Sequence, residues 1–141
     1  MQAVLLDSSV YVAALRGKET VIRLERITGG TVLWLSAVVL EELHAGAGIR
    51  DREYVERMEH GFEEAGKILV PDLSDWIAAG KALARLALKY NHGKIGRSRL
   101  TNDALIAMSA ARMGIHVITQ NARDFQKLAE FSALSWQLAP L

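Results

Sequence analysis

The stretch from Thr101 to Phe125, TNDALIAMSAARMGIHVITQNARDF, constrains the fold more than any other part of the chain. Almost every residue from 104 to 111 is apolar or small, which is typical of a helix that is buried on all sides. Gly114 predicts a left-handed end to that helix, and residues 116–119 then form a short strand run. The stretch therefore predicts a buried helix, a tight turn and a strand in direct succession.

Two acidic residues bracket this unit. Asp103 is expected at the start of the helix, and Asp124 is expected just beyond the strand, in a turn that leads into another helix. In open α/β sheets, ligands bind in the crevice outside the carboxyl ends of the strands. This placement is the first indication of a functional site at one edge of the sheet.

Short apolar runs alternate with helical patterns along the rest of the chain. Residues 3–6 form a continuous apolar run, as expected of a central strand that is buried on both faces of a parallel sheet. Further strands are predicted at 31–35, 68–70 and 134–138. This alternation predicts an α/β domain with three layers, α/β/α, around a central and mostly parallel sheet.

The predicted helices follow from capping residues and from apolar residues at helical spacing. They cover 8–15, 19–27, a segment capped by Ser36 and running to about 47, and 51–65, which has Tyr54, Val55, Met58 and Phe62 on one side. A long helix capped by Ser74 or Asp75 has the predicted buried stripe Trp76, Ala79, Leu83, Leu86 and Tyr90. Residues 91–99, NHGKIGRSR, contain two glycines and are predicted to be a loop.

Length and composition limit the class of protein. The chain has 141 residues, a net charge of +1 and no cysteine, and half of its residues are apolar. These values fit a single domain spanning 1–141, exclude disulfides and thiolate metal sites, and suit a cytoplasmic protein. No apolar window is long enough to span a bilayer, and the first residues do not resemble a signal peptide.

Four carboxylates lie where chemistry is expected: Asp7 after the first strand, Glu42 within the third predicted helix, Asp103 and Asp124. Crowded carboxylates repel one another, and a divalent cation with hard oxygen ligands, Mg²⁺ or Mn²⁺, relieves that repulsion. Such a site can orient a phosphodiester and supply a nucleophile for its hydrolysis. The pattern is compatible with a metal-dependent phosphodiesterase.

Each carboxylate also has a structural interpretation. Asp7, Asp103 and Asp124 are all placed where an aspartate can cap a helix, which contributes about 1 kcal/mol per cap. Glu42 has apolar helical neighbours, but Glu41 beside it points almost as far from the apolar stripe. The residues alone leave capping and metal binding open.

The segments LLDSSVYVAAL, SAVVLEELHAG, NDALIAMSA and VITQNARDF, in this order and spacing, resemble the PIN-domain family, and more narrowly the VapC-type toxins of prokaryotic toxin–antitoxin pairs. The resemblance covers essentially the whole chain. It implies a magnesium-dependent ribonuclease that cuts RNA, with helices around a parallel sheet. It also implies an antitoxin protein as partner.

The resemblance assigns roles to particular residues. Asp7 and Asp103 match the aspartates that hold the metal ion, while Glu42 and Asp124 complete its shell or position the attacking water. Many PIN domains have an aspartate where this chain has Asn121, which carries no charge and therefore puts a second metal site in doubt. The implied mechanism is metal-assisted phosphodiester hydrolysis with stabilisation of the leaving 3′ oxygen.

Hydroxyl and amide groups near the acidic motifs form a second set of candidates. These side chains are expected to hydrogen-bond the carboxylates or a metal-bound water, with capping and strand-end turns as the alternative. They are Ser8, Ser36, Thr119 and Asn121.

Basic residues flank the acidic motifs and are candidates for contacts with RNA phosphates, which fix register without reading sequence. They are Lys94, Arg97 and Arg99 in the predicted loop, and Arg16, Lys18 and Arg123 beside the other motifs. A solvated loop is the alternative for the first three. The tryptophans Trp34, Trp76 and Trp136 are expected in the core or at an interface.

The sequence argues against several other functions. A phosphatase of the haloacid-dehalogenase type would have a second aspartate two residues after Asp7, where this chain has Ser9. The four histidines show no paired spacing on one helix face, which disfavours zinc, and no Walker-type glycine loop is present. A PIN-like binding module without catalysis remains an alternative, as does a PIN nuclease that processes RNA or acts on DNA.

A toxin role carries expectations about assembly. The 51–65 helix and the preceding helix are expected to bury apolar faces in a homodimer. An antitoxin segment is expected to cover the acidic groove and to place an arginine among the carboxylates.

Overall fold

Five short parallel strands form one sheet in a computed structural model of the chain, which describes residues 1–17, 25–90 and 94–139. The order across the sheet is β3-β2-β1-β4-β5, so β1 lies in the middle. The parallel register pairs Leu5 with Trp34 on one side and with Val117 on the other. The strands are β1 Ala3–Leu6, β2 Val32–Ser36, β3 Ile68–Leu69, β4 His116–Thr119 and β5 Trp136–Leu138.

Helices connect the strands and cover the sheet, which gives the three-layer α/β/α architecture that the sequence predicts. Fully buried side chains from both strands and helices, such as Leu35, Ile106 and Phe125, form the core between these layers. The helices are α1 Ser8–Arg16, α2 Ala37–Gly46, α3 Ile49–Glu64, α4 Leu73–Tyr90, α5 Lys94–Met113 and α6 Ala122–Leu128, with a 3₁₀ turn at Ala129–Phe131. No helix in these described ranges is long and apolar enough to cross a membrane.

Local capping determines where several of these elements begin and end, as the sequence predicts. The Asp7 and Ser36 side chains accept hydrogen bonds from the backbone N–H groups of Val10 and Val38 and so cap α1 and α2. Gly114 ends α5 with a φ of 66°. The Gly114 N–H donates to the Ala111 carbonyl, and the Ile115 N–H donates to the Ala110 carbonyl, as in a Schellman motif.

The largest correction concerns α5. Residues 94–99 are helical rather than part of a loop, because α5 begins at Lys94 and is 20 residues long. Asp103 therefore lies well inside the helix and not at its start. Residues 91–93 of the predicted loop, which include Asn91, lie outside the described residues. Lys18 and most of the predicted 19–27 helix also lie outside them, and residues 25–28 are helical.

The predicted stripe of α4 is correct except at its first residue, because Ala79 and Leu86 are buried and Leu83 and Tyr90 pack against the core. Asp75, Ala79, Ala82 and Leu86 are its buried residues, whereas Trp76 is 56% exposed. The predicted cap is also displaced: the Asp72 carboxylate accepts from the Asp75 N–H, and the Asp75 carboxylate accepts from the Asp72 N–H. The reason is that Asp75 turns inward to meet the guanidinium of a residue on α5, which no local pattern encodes.

That guanidinium belongs to Arg112. Its Nε and Nη2 donate to the two carboxylate oxygens of Asp75 over 2.9–3.0 Å. The pair joins the start of α4 to the end of α5, and Asp75 is buried. A buried carboxylate with a bidentate arginine partner is strongly destabilising if that partner is removed.

Candidate active site

The candidate site lies at the edge of the sheet where the carboxyl ends of β1, β2 and β4 meet. Asp7 follows β1 directly, and its N–H donates to the Ile118 carbonyl of β4 over 3.1 Å. Thr119, the last residue of β4, therefore lies next to Asp7. Because β1 is the central strand, side chains that follow its neighbours β2 and β4 converge on Asp7 from both sides.

Asp7 is held in place by three donors. Its Oδ1 accepts from the Ser9 hydroxyl at 2.5 Å and from the Val10 N–H at 3.4 Å, and its Oδ2 accepts from the Thr119 hydroxyl at 2.5 Å. The residue is only 3% exposed, and burial raises the pKa of its carboxyl while these hydrogen bonds oppose the rise. Asp7 thus caps α1 and also presents an oriented carboxylate at the sheet edge.

Asp103 has no capping role, because it lies in the interior of α5. Burial, followed by the charges of Asp7, Asp124 and Glu42 in that order, raises the pKa of its carboxyl from 3.8 to about 7. Aspartate is a poor residue for a helix interior. A half-buried aspartate at this position, facing three other carboxylates, is typical of a binding site rather than of a structural element.

Asn121 joins two of the carboxylates. Its Nδ2 donates to Oδ2 of Asp103 at 3.0 Å and to Oδ2 of Asp124 at 2.8 Å. Asn121 is the residue before α6, but its side chain makes no capping hydrogen bond there. Asp124, in the first turn of α6, likewise contacts Asn121 through the side-chain amide. The capping alternative for Asp124 thus has no hydrogen bond to support it among the described residues.

Glu42 enters the site from α2. Its carboxylate accepts from the Ser8 hydroxyl at 3.3 Å and from the Asn102 side chain. The residue is half-buried, and burial, followed by the charges of Glu41 and Asp7, raises the pKa of its carboxyl. Glu41 is exposed, so the structure distinguishes the two adjacent glutamates that sequence patterns leave equivalent.

The four carboxylates line one cleft of about 760 Å³. Two basic side chains of α6 form part of its wall: Arg123, which the sequence indicates, and Lys127, which it does not. The Lys127 ammonium lies 4.5 Å from the centre of the Tyr90 ring. Lys127 lies on the same face of α6 as Arg123, which is four residues earlier. This i, i+4 spacing is the sequence signal from which Lys127 could have been predicted. The remaining lining residues are Ser8, Ser9, Val12, Leu100 and Asn121.

Other candidates lie outside this cleft. Ser36 is fully buried and caps α2, so its role is the helix capping given above as the alternative to hydrogen-bonding a carboxylate. Arg16 lines a neighbouring pocket instead. Lys94, Arg97 and Arg99 belong to the first turns of α5, and their side chains are not among those described. Trp34 and Trp136 pack against the core, as the sequence predicts.

The cleft fits a divalent metal ion of the hard class. Its potential ligands are carboxylate oxygens, and oxygen-only donor sets suit Mg²⁺ and Mn²⁺. The raised pKa values of Asp7, Glu42 and Asp103 have burial as their largest cause. For Asp103 and Glu42, the charges of neighbouring carboxylates add to it. A bound cation removes both penalties, because it compensates the buried negative charge.

A separate group of possible metal ligands lies on α3. The ligand atoms of Glu59, His60 and Glu63 all lie within 4.8 Å of one another, and Glu59 also contacts His44 at 2.8 Å. His60 and Glu63 are exposed, and none of the four residues lines the acidic cleft.

Comparison with known proteins places this geometry in context. The PIN domain family model matches residues 4–131. No curated protein sequence matches the chain significantly.

Several solved structures share the fold. A chain of the DNA-bound VapBC crystal structure from Salmonella typhimurium is 22% identical, with a TM-score of 0.69 over 98% of both chains. A chain of VapBC-1 from nontypeable Haemophilus influenzae is 24% identical, with a TM-score of 0.68 over 99% of this chain and 100% of that one. A chain of FitAB bound to a DNA fragment is 22% identical, with a TM-score of 0.68 over 96% and 94% of the two chains. At these identities the likeness establishes the fold.

Proposed function

This chain belongs to the PIN-domain family, and on that premise we propose that it is a magnesium-dependent endoribonuclease, the toxin of a type II toxin–antitoxin pair. In this proposal, residues 1–141 form a single nuclease domain that acts in the cytoplasm. The observation that carries the proposal is the convergence of Asp7, Glu42, Asp103 and Asp124 on one cleft at the carboxyl edge of a parallel sheet. A family match alone does not specify those side chains.

Each carboxylate has a distinct part in this proposal. Asp7 and Asp103 hold Mg²⁺, with Mn²⁺ as a substitute, because they are the two most buried carboxylates of the cleft and are oriented by hydrogen bonds. Glu42 and Asp124 lie on opposite walls and complete the set or accept a proton from the attacking water. When bound, the ion activates water and stabilises charge on the phosphoryl group and the leaving oxygen.

The uncharged donors keep this set in position. Ser9 and Thr119 fix Asp7, Ser8 fixes Glu42, and Asn121 holds Asp103 and Asp124 together. Ligand orientation of this kind is commonly supplied by hydrogen-bonding neighbours of the ligands. Arg123 and Lys127 on the cleft wall supply positive charge for the phosphates of an RNA strand.

The toxin role and the partners of this chain are inferred from the similar solved structures rather than from the acidic cleft. The similar structures include VapBC structures, and VapBC-5 from Mycobacterium tuberculosis is described as a member of a family of toxin–antitoxin systems. We infer that this chain also binds a cognate antitoxin, which covers the acidic cleft. We infer a homodimer through α2 and α3 as well. Ile49 at the start of α3 is 90% exposed and Tyr54 is 44% exposed, and both are apolar enough to stabilise such an interface.

The experiment that tests the proposed activity is magnesium-dependent cleavage of a structured RNA. Asp7→Asn and Asp103→Asn are each expected to lower cleavage by at least about a hundredfold, because each removes a charged metal ligand. Glu42→Gln is paired with Glu41→Gln on the same helix, since only Glu42 lines the cleft. Loss of cleavage in Glu42→Gln with wild-type activity in Glu41→Gln is the expected result.

Two outcomes lead to other conclusions. Inert wild-type protein, tested on several RNAs with Mg²⁺ and with Mn²⁺, would support a binding module that has lost catalysis. Cleavage of DNA or of a precursor RNA, without cleavage of other RNAs, would support a processing or DNA-directed nuclease. Light scattering that shows a monomer at high concentration would contradict the homodimer.

A further inference from the structure

A second pocket opens beside the acidic cleft, between α1, α2 and α3. This side pocket has a volume of about 360 Å³. Val12, Leu15, Leu43 and Ala47 supply its apolar walls, and its charged lining residues are Arg16 and Asp51, together with Glu42, which it shares with the acidic cleft. Nothing in the proposed chemistry uses these residues.

The side pocket and the acidic cleft share one wall. Ser8, Val12 and Glu42 line both of them, and Ser8 is the residue that donates to Glu42. Along α1, Ser8, Val12 and Arg16 are spaced by four residues and so lie on the same face of the helix. Ser8 and Arg16 are therefore separated by about 12 Å along the helix axis. A nucleic-acid strand bound at the carboxylates can therefore reach the side pocket along this face.

The chemistry of the side pocket matches a nucleobase. Aliphatic walls can pack against the flat faces of a base, and unstacked bases of single-stranded RNA are read through hydrogen bonds to their edges. Arg16 supplies donors and Asp51 supplies acceptors, and bases present both acceptors and donors on their edges. An apolar protein side chain would use the walls but would leave the two charged groups without a partner in the pocket.

We propose that the side pocket is a nucleobase subsite, which selects the identity of a nucleotide next to the scissile phosphate through Arg16 and Asp51. This inference rests on the proposed nuclease function and adds sequence selectivity to it. The phosphates are held at the acidic cleft and at Arg123 and Lys127, where contacts are independent of sequence. The base in the side pocket is the part of the substrate that is read.

The test compares RNA with a substrate that has no base. Four oligoribonucleotides that differ only at the nucleotide beside the mapped cut are cleaved in parallel with bis-p-nitrophenyl phosphate. The variants are Arg16→Ala, which removes the donor, and Ala47→Trp, which fills the pocket. Arg57→Ala on α3 is the matched control, because Arg57 is exposed and does not line either pocket.

Wild-type protein is expected to prefer one of the four nucleotides by at least about tenfold, as a good base contact permits. Arg16→Ala is expected to reduce that preference to about twofold or less. Both pocket variants are expected to lower the ratio of kcat/KM for RNA to kcat/KM for bis-p-nitrophenyl phosphate by at least about tenfold. Arg57→Ala should keep the wild-type preference and the wild-type ratio.

An unchanged preference and an unchanged ratio in Arg16→Ala and Ala47→Trp would overturn the proposal, and would indicate that the pocket accepts a protein segment instead. If wild-type protein cuts neither substrate, the proposed nuclease function fails separately. The subsite is then tested by fluorescence anisotropy with the same four oligonucleotides. Equal affinities for all four would refute it, and a base preference that Arg16→Ala abolishes would sustain it.

Discussion

Replacing Asp103 with asparagine is expected to make the metal-free protein more stable while abolishing its activity. The pKa of Asp103 is raised from 3.8 to about 7 by burial and by three neighbouring carboxylates. Because the pKa in the folded state is above that in the unfolded chain, the folded protein binds more protons between these values. Its free energy of unfolding therefore falls as the pH rises from about 4 to about 7.

The size of this effect follows from the two pKa values. At about 1.4 kcal/mol per pKa unit, the difference between 3.8 and about 7 corresponds to about 4 kcal/mol of lost stability above pH 7. Residual solvent in the cleft screens part of the repulsion, so we expect Asp103→Asn to gain about 2–4 kcal/mol at about pH 8. Asparagine has the same shape, and its carbonyl oxygen can still accept from Asn121.

The assay is urea unfolding with EDTA at about pH 5 and about pH 8, followed by the same measurement with Mg²⁺. The stabilising effect of Asp103→Asn should be larger at about pH 8 than at about pH 5, because only the ionised carboxylate is penalised. Mg²⁺ should stabilise wild type and have little effect on the variant. Glu41→Gln, an exposed neighbour of the site, should change stability by less than about 0.5 kcal/mol.

A variant that is no more stable than wild type at about pH 8 would refute this reasoning. So would a pH dependence that is the same in both proteins. Either result would mean that the four carboxylates do not repel one another strongly in the folded chain. A bound cation would then not be needed to relieve charge repulsion in the cleft.

Three further predictions test other parts of the structure. Asn121→Asp replaces the donor that joins two carboxylates with another negative charge. Urea unfolding in EDTA should show a free energy of unfolding lower by more than about 1 kcal/mol, and Mn²⁺ should stabilise the variant more than wild type. An unchanged free energy of unfolding would contradict the bridging role. Gly114→Ala should lower the free energy of unfolding by about 1–2 kcal/mol, because Gly114 has a φ of 66°. Gly61→Ala inside α3, where an added Cβ meets nothing within 4 Å, should instead raise it by about 0.5–1 kcal/mol. Equal effects of the two substitutions in urea unfolding would exclude backbone strain at Gly114. Arg112→Met should lower the free energy of unfolding by about 2–4 kcal/mol, because it leaves the Asp75 carboxylate buried without its ion-pair partner. A decrease of less than about 1 kcal/mol would contradict a structural role for this pair.

Elements set by local patterns were predictable. The first and fourth strands are apolar runs bounded by a capping aspartate and by a turn, and both form where the sequence places them. Gly114 ends α5 because a left-handed residue is needed there, and glycine provides it without strain. These outcomes depend on residues within one helical turn of each other.

Predictions failed where distant residues decide the outcome. Residues 94–99 contain a glycine, a serine and three basic side chains, and a loop is a reasonable expectation for them, yet they extend α5 at its start. At the start of α4, Asp75 is buried and Trp76 is exposed, because Arg112, 37 residues away in sequence, pairs with Asp75. Helical periodicity locates a buried face, but the residue that is buried at its end depends on the partner against which the helix packs.

The sequence by itself determined the order of strands and helices, the four acidic motifs and the family to which the chain belongs. Only the tertiary structure decided which acidic side chains share a cleft and that Asn121 joins two carboxylates, and it placed Glu42, which the family resemblance singles out, in that cleft. It also revealed Lys127 and the side pocket. The physical reason is that burial and charge–charge repulsion act through space. Thr119 donates to Asp7 across 112 residues of sequence, and Ser8 to Glu42 across 34, so neither contact exists until the sheet assembles.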